Sequence, residues 1–322
     1  MSGRRAVLAG MASAGVGAGA ARAQGGWPER PIRMIVPFPP GGPTDLVARP
    51  LAQRLSEALG RSVLADNRGG AGGNLGADAV AKAAPDGHTL LLSNVGVLAI
   101  NPWLYASLPF DAARDFAPIA VVAEAPVALL VHAAVPARDV AEFIAWTRQS
   151  AQPYGTAGAG SPGHLAGASF AAITGAGLNH VPYRGSAPAI QDLVGGYLPV
   201  MFDPVQASLS HVQSGALRCL AVSSAARSPA LPMVPTMAEA GVAGHEMTAW
   251  WALMAPSGTP QPIIDRLARE VSAIVGNTGF AEALGRQGVS VMLRTGPAMA
   301  AFLAVERARW GDAVRSSGAR SD

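Results

Sequence analysis

The segment Ile32-Arg33-Met34-Ile35-Val36-Pro37-Phe38-Pro39-Pro40-Gly41-Gly42-Pro43-Thr44-Asp45 decides how the rest of the chain is read. Ile32 to Val36 is a short apolar run bracketed by Pro31 and Pro37, the pattern of a buried strand. Beyond the loop, Leu46, Val47, Leu51, Leu55 and Leu59 recur at helical spacing, with Pro50 inside the pattern and Gly60 as a stop. The unit is strand, stiff loop, helix. In open parallel sheets ligands sit beyond the carboxyl ends of strands, so this loop is a candidate site. Gly41 and Gly42 let the backbone come close to a ligand. Prolines remove donors at 37, 39, 40 and 43, which leaves the N–H groups of Phe38, Gly41, Gly42, Thr44 and Asp45. With the helix dipole, they suit an anion such as a carboxylate. No Gly-Lys-Ser/Thr follows, so this is not a P-loop. Asp45 either touches the ligand, directly or through water, or caps the helix.

Outward from this unit the alternation continues. Strands are expected at Ser62 to Ala65, Thr89 to Leu92, near Tyr154, at Asn179 to Pro182, Val200 to Phe202 and Arg218 to Val222. Helices are expected around Leu75 to Ala83, Asp139 to Gln149, His164 to Thr174, Pro188 to Gly195 and Gln206 to Ser214. Others close the chain near Pro262 to Val275, Phe280 to Gly285 and Pro297 to Val314. The class is α/β, with parallel-rich sheets flanked by helices.

Other loops leaving strands carry further signals. Ala159-Gly160-Ser161-Pro162-Gly163 nearly matches the G-x-S-x-G nucleophile elbow. That motif takes an oxyanion donor from the residue after the serine, and Pro162 has none. Ser161 followed by Pro162 reads better as a helix cap with proline in the first helical position. An anion held by the Thr156 and Ser161 hydroxyls is favoured over hydrolysis, and a serine hydrolase using Ser161 is the alternative function. Arg68 to Gly76 is glycine-rich but does not complete a dinucleotide fingerprint, so a structural turn opening a helix is expected. His164 is the one histidine kept as a site candidate. Asp203 ends a strand and either faces the cleft or caps the next helix, and Arg184 either pairs with a ligand carboxylate or is solvated. Trp250-Trp251 reads as packing near a crossing between domains. The histidine spacings contain no metal motif, and the single cysteine, Cys219, excludes an intramolecular disulfide. No metal and no cofactor is expected.

The chain has 322 residues, half of them hydrophobic and only 14% charged, which is too apolar for a disordered polymer and long enough for two domains. The sequence pI of about 9.5 raises a nucleic-acid reading. The net charge is only +3, no Lys/Arg run exceeds two, and no basic stripe is present, so no nucleic-acid partner is expected. Arg4, Arg5 and Arg22 carry the whole excess, and residues 24–322 are formally neutral. Arg4-Arg5, the uncharged stretch Ala6 to Ala21 and Ala21-Arg22-Ala23 form an export signal cleaved near Ala23. The arginine pair points to the twin-arginine route, with the general secretory route as alternative. The later apolar segment Ile119 to Val135 is broken by Glu124, Pro126 and His132, so it is not read as a membrane span.

In order along the chain, WPERPIRMIVPFPPGGPTDLVAR, NRGGAGGNLG, PDGHTLLLSN, INPWLY, YGTAGAGSPGHLA, HVPYRGSAPAIQDLVGG, FDPV, LPMVPTMAEAGVAG and APSGTP resemble the substrate-binding proteins of tripartite tricarboxylate transporters, the Bug family of periplasmic receptors. The resemblance implies a two-domain periplasmic-binding-protein fold (type II-like) with a hinged cleft. Residues 24–124 with 246–322 would form domain 1, and 125–245 domain 2. It implies a periplasmic protein, expected as a monomer, that captures a small organic acid for the membrane subunits of such a transporter or for sensing. Carried over by position, the ligand-binding residues are Phe38, Gly42, Thr44, Asp45, Ser93 and Asn94 on one side. On the other side they are Thr156, Ala157, Ser161, His164, Arg184 and Asp203. His88 stands where the family usually has tyrosine, and Arg184 where lysine is common.

Overall fold

A computed structural model describes residues 26–320. The export signal expected at 1–23 lies outside the described residues. In chain order the first elements are β1 (Ile32–Val36), α1 (Pro43–Leu59), β2 (Val63–Asn67), α2 (Asn74–Ala81), β3 (Thr89–Asn94), α3 (Asn101–Leu104) and β4 (Phe116–His132). Then come α4 (Val140–Gln149), β5 (Gln152–Thr156), α5 (Pro162–Thr174), β6 (Leu178–Pro182), α6 (Ser186–Val194), β7 (Val200–Pro204), α7 (Leu209–Gln213) and β8 (Leu217–Val222). The chain closes with β9 (Thr248–Pro256), α8 (Gln261–Val275), α9 (Thr278–Gly285), β10 (Ser290–Thr295) and α10 (Gly296–Ser317).

β1 pairs in parallel with β2 on one side and β3 on the other, and all its side chains but Arg33 are buried. That burial explains its unbroken apolar run. α1 starts with Pro43, where a missing N–H costs nothing, and ends at Gly60 with φ of 64°. α5 starts as expected, with Ser161 as cap and Pro162 first in the helix.

β4, β9 and β10 are the strands that periodicity did not reveal, and β4 is the one on which the architecture turns. Over Phe116 to Pro126 it pairs antiparallel with β9, and its Ala120 to Glu124 stretch also pairs with β10. From Val127 onward it pairs with β7 and β8 instead. One strand therefore belongs to two sheets, β2-β1-β3-β9-β4-β10 and β6-β5-β7-β4-β8. Parallel pairing is confined to the two wings, and the strands around β4 are antiparallel. Pro126 sits at the transfer point, where a residue without an N–H disturbs the ladders least. The chain returns between the lobes beside that point. Ser223, fully buried, donates its N–H to the Val127 carbonyl (2.9 Å) and its hydroxyl to the Met247 carbonyl (2.5 Å). The same hydroxyl accepts from Val127 N (2.9 Å), and the Ser223 carbonyl accepts from Met247 N (2.9 Å). One serine thus ties both crossing segments together.

Trp250 and Trp251 on β9 are buried and pack as expected. Trp250 Nε1 donates to Glu306 on α10 (2.7 Å), and Trp251 Nε1 donates to the Thr44 hydroxyl at the start of α1 (3.0 Å).

Candidate functional site: a cleft between the lobes

The loops leaving β1, β5, β6 and β7 meet between the two sheets. They enclose a narrow inner cavity of about 40 Å³ that widens into a mouth of about 760 Å³. Phe38, Ala157 and Ser161 line both spaces, so they form one cleft. Of the positions expected at the ligand, Phe38, Gly42, Thr44, Asn94, Ala157, Ser161 and Asp203 line the inner cavity. Arg184 lines only the mouth, exposed and without a salt bridge among the described residues.

Three helices begin at this cavity. α1 starts at Gly42-Pro43-Thr44, α5 at Ser161-Pro162 and α6 at Gly185-Ser186-Ala187, and residues of each line it. No side chain caps α1 or α6, which leaves the amides of Thr44, Asp45, Ser186 and Ala187 unsatisfied at their first turns. The first turn of α5 adds the Gly163 amide, while the Ser161 hydroxyl accepts from His164 N (3.2 Å). Each helix start carries roughly half a positive charge. The lining contains no Lys or Arg, and its walls are mainly proline, alanine and Phe38. The positive potential therefore comes from backbone alone, in an apolar setting that strengthens it. Asn94, which lines the cavity, accepts from Gly96 N with its side-chain oxygen (3.0 Å).

Asp203 is the one charged residue of the inner lining. It is fully buried, and neither carboxylate oxygen has a hydrogen-bond partner among the described residues. Burial pushes its pKa up to about 7. The Ser186 hydroxyl is near enough to offset part of that shift, but it makes no hydrogen bond of regular geometry to Asp203 or to any other described residue. Of the two roles expected for Asp203, the geometry matches the cleft and not the cap: the helical turn after β7 has no side-chain cap.

Four expected positions lie behind the cavity wall. Asp45 is neither a cap nor part of the lining. Its Oδ2 accepts from Gly41 N (2.9 Å) and Arg49 Nε (2.7 Å), and its Oδ1 from Asn67 Nδ2 (2.9 Å). It braces the first loop, and it consumes the Gly41 amide that the sequence offers to an anion. Ser93 is fully buried on β3 with its hydroxyl unpartnered. Thr156 Oγ1 bonds His180 Nε2 (2.7 Å). His164 accepts from Gly160 N through Nδ1 (3.3 Å) and stacks on His180 at 4.0 Å between ring centres. Burial lowers the pKa of His164 to about 4, and burial with the neighbouring His164 lowers that of His180 to about 3. Both rings are neutral at ordinary pH and support the second loop. Ser161 has no base: its hydroxyl caps α5, and no imidazole or carboxylate bonds it among the described residues.

Sequence reading missed Ser186, Asn67 and His180, and it read Trp251 as packing without its bond to the Thr44 hydroxyl. Only Ser186 carried a local signal, as the residue after Gly185 at a strand-to-helix turn. The glycine-rich loop is the structural turn expected, and it also forms one wall of the mouth. The lobes touch through it: a Cβ on Gly72 would lie 2.8 Å from the Ala159 carbonyl oxygen, and one on Gly160 2.1 Å from Asn101 Oδ1.

The comparisons with known proteins agree with this architecture. The family model for the tripartite tricarboxylate transporter family receptor matches residues 47–319. Protein BugT of Bordetella pertussis is 40% identical over 297 residues, which is 91% of this chain and 91% of that protein. Rpa4515 of R. palustris, solved with adipate, superposes with a TM-score of 0.88 at 38% identity, covering 91% of this chain and 98% of that one. MatC (Rpa3494) of Rhodopseudomonas palustris, solved with bound malate, gives 0.85 at 33%, covering 89% and 100%. The fold is the two-domain periplasmic-binding-protein fold that the resemblance implied. This chain belongs to the family of tripartite tricarboxylate transporter receptors.

Proposed function

We propose that this chain is an exported receptor whose lobes close on a small organic carboxylate and present it to the membrane subunits of a tripartite transporter. The observation that carries the reading is the convergence of three helix starts, two of them uncapped, on a cavity without a lysine or arginine. An acid group at the inner end is held by backbone N–H groups, and a second acid group of an elongated ligand reaches Arg184 at the mouth. Relatives solved with adipate and malate support that substrate class. The protein acts as a binder and not as an enzyme. It works as a monomer, after cleavage near Ala23.

The moving bodies are residues 24–124 with 246–322, and residues 125–245. The change of β4 partners at Pro126 and Val127 supports that division. Ligand binds the closed state better and so raises its population. A thermal-shift screen of aliphatic and aromatic mono- and dicarboxylates tests the reading. A ligand at 100 times its Kd adds about 2.7 kcal/mol to stability. If no acid in the screen shifts melting, and native mass spectrometry of the purified protein finds no retained acid, the reading fails.

A further inference from the structure

We propose that Asp203 and the ligand's inner carboxylate share a single proton, so that this receptor takes up a proton when it binds an acid above neutral pH. The inference rests on the carboxylate reading and adds to it the identity of the group that carries the proton.

Two buried aspartates stand near the cleft, and the chain treats them differently. Asp45 receives a guanidinium, an amide nitrogen and a side-chain amide. Asp203, fully buried, receives no hydrogen bond of regular geometry from the described residues, although it lines the cavity and the Ser186 hydroxyl stands near it. A buried carboxyl without a partner is costly, and its persistence at a cavity wall points to a partner that comes with the ligand. Ser186 beside it repeats the pattern, buried, unpartnered and on the same wall.

The inner cavity has helix-start amides to hold one negative charge and no side-chain cation to hold a second. Two carboxylates in contact there cannot both stay ionised, as in any carboxyl pair confined to one site. Above neutral pH, either Asp203 is ionised and the cavity has no acid in it, or the acid is bound and Asp203 carries the proton. In its protonated form Asp203 donates a hydrogen bond to the ligand carboxylate, and the helix-start amides donate the rest. Burial has already brought Asp203 to a pKa of about 7, so the exchange falls in the physiological range.

Among the described residues, no other group around Asp203 can take this role. On β4 it faces Ala128, with Glu124 and His132 four residues away in either direction. On β5 the titratable residue is Tyr154, with burial holding its phenol protonated. On α5 it is His164, neutral and stacked on His180. On α6 it is Asp192, which accepts from the Tyr183 hydroxyl (2.7 Å). Across the cavity Asp45 is paired with Arg49, and Arg184 stays at the mouth.

The test uses adipate, malate and benzoate as probes over about pH 5.5 to 9. Titration calorimetry in two buffers of different ionisation enthalpy counts the protons exchanged. The expected result is a Kd that is flat below about pH 7 and rises nearly tenfold per unit above it, with one proton taken up per ligand at about pH 8. Asp203→Asn, which keeps a donor but cannot ionise, is expected to abolish both the slope and the uptake. It should bind at least about tenfold tighter than the wild type at pH 8. Binding that strengthens with pH would mean an ionised Asp203 receiving a cationic group, and binding without proton exchange would mean a spectator; either overturns the inference. The ¹³C carboxyl resonance of Asp203 in ligand-free protein, assigned by its loss in Asp203→Asn, is a check that needs no ligand. A midpoint below about 5 overturns the inference even where acids bind. Failure of every probe at every pH, together with a thermal-shift screen in which no acid shifts melting and purified protein that retains no acid, overturns the carboxylate reading itself, and the proton coupling with it.

Discussion

Asp45 and Asp203 are almost equally hidden, at 2% and 0% exposure, but they make stability depend on pH in opposite senses. Burial pushes the Asp45 carboxyl up, and hydrogen bonds from Arg49, Gly41 and Asn67 with the Arg49 charge bring it below its ordinary 3.8. A carboxyl depressed in the folded state stabilises above its unfolded pKa and stops doing so as pH falls through the folded value. Asp45→Ala is therefore expected to lower stability at neutral pH by about 1–3 kcal/mol, since three donors lose their acceptor. The deficit should shrink below about pH 4. Unchanged melting at neutral pH would remove the brace. For Asp203 the folded pKa is raised from 3.8 to about 7. Its contribution is intact below the unfolded pKa and is lost as pH rises through the folded one. The loss is on the order of 4 kcal/mol by about pH 8. Ligand-free Asp203→Asn should then melt above the wild type at pH 8 and close to it near pH 4. A constant difference across that range would mean that the carboxyl does not titrate there.

At the scale of elements, two glycines three residues apart separate folding from closing. A Cβ on Gly163, in the first turn of α5, would lie 1.9 Å from the Phe202 carbonyl oxygen on β7. Both belong to one lobe and the obstacle is backbone, so Gly163→Ala should cost about 1–3 kcal/mol or more in denaturant unfolding. A Cβ on Gly160 meets a side chain of the other lobe, Asn101, and Gly160 has φ of 76°. Gly160→Ala should cost about 1 kcal/mol in the fold and, if the two bodies close on the ligand as proposed, weaken acid binding by more than that, because the clash then lies between them. Equal effects on folding and binding would refute that separation.

The same loops show what a sequence can reveal. The cap at Ser161, the proline at 162, the stop at Gly60 and the run at Ile32–Val36 are local signals, and the structure matches them. β4 has no such signal, because Glu124, Pro126 and His132 interrupt its pattern and its strand state comes from four distant partners. Asp203 was legible as a strand-end residue. Its lack of a partner was not, since that depends on which distant side chains stay away. The stacking of His164 on His180 was hidden for the same reason.

For the whole molecule the balance of charge sets how ligand arrives. The +3 excess is carried by Arg4, Arg5 and Arg22, and residues 24–322 are formally neutral. A neutral body projects little field beyond a Debye length, about 10 Å at 0.1 M salt. In the exported receptor proposed above, attraction is then local, from helix starts deep in the cleft and from Arg184 at its mouth. Local attraction of this kind acts after entry, where salt screens it weakly. The association rate of adipate or malate, whichever shifts melting, should therefore change less than about threefold between roughly 0.02 and 0.5 M salt in stopped-flow measurements. Arg184→Ala should remove most of the residual salt dependence and leave the pH slope in place, because Arg184 lies outside the inner cavity that contains Asp203. A fall of tenfold or more with salt would show a long-range basic field that the neutral charge balance does not supply. A pH slope lost together with Arg184 would move the proton-linked step from the inner cavity to the mouth.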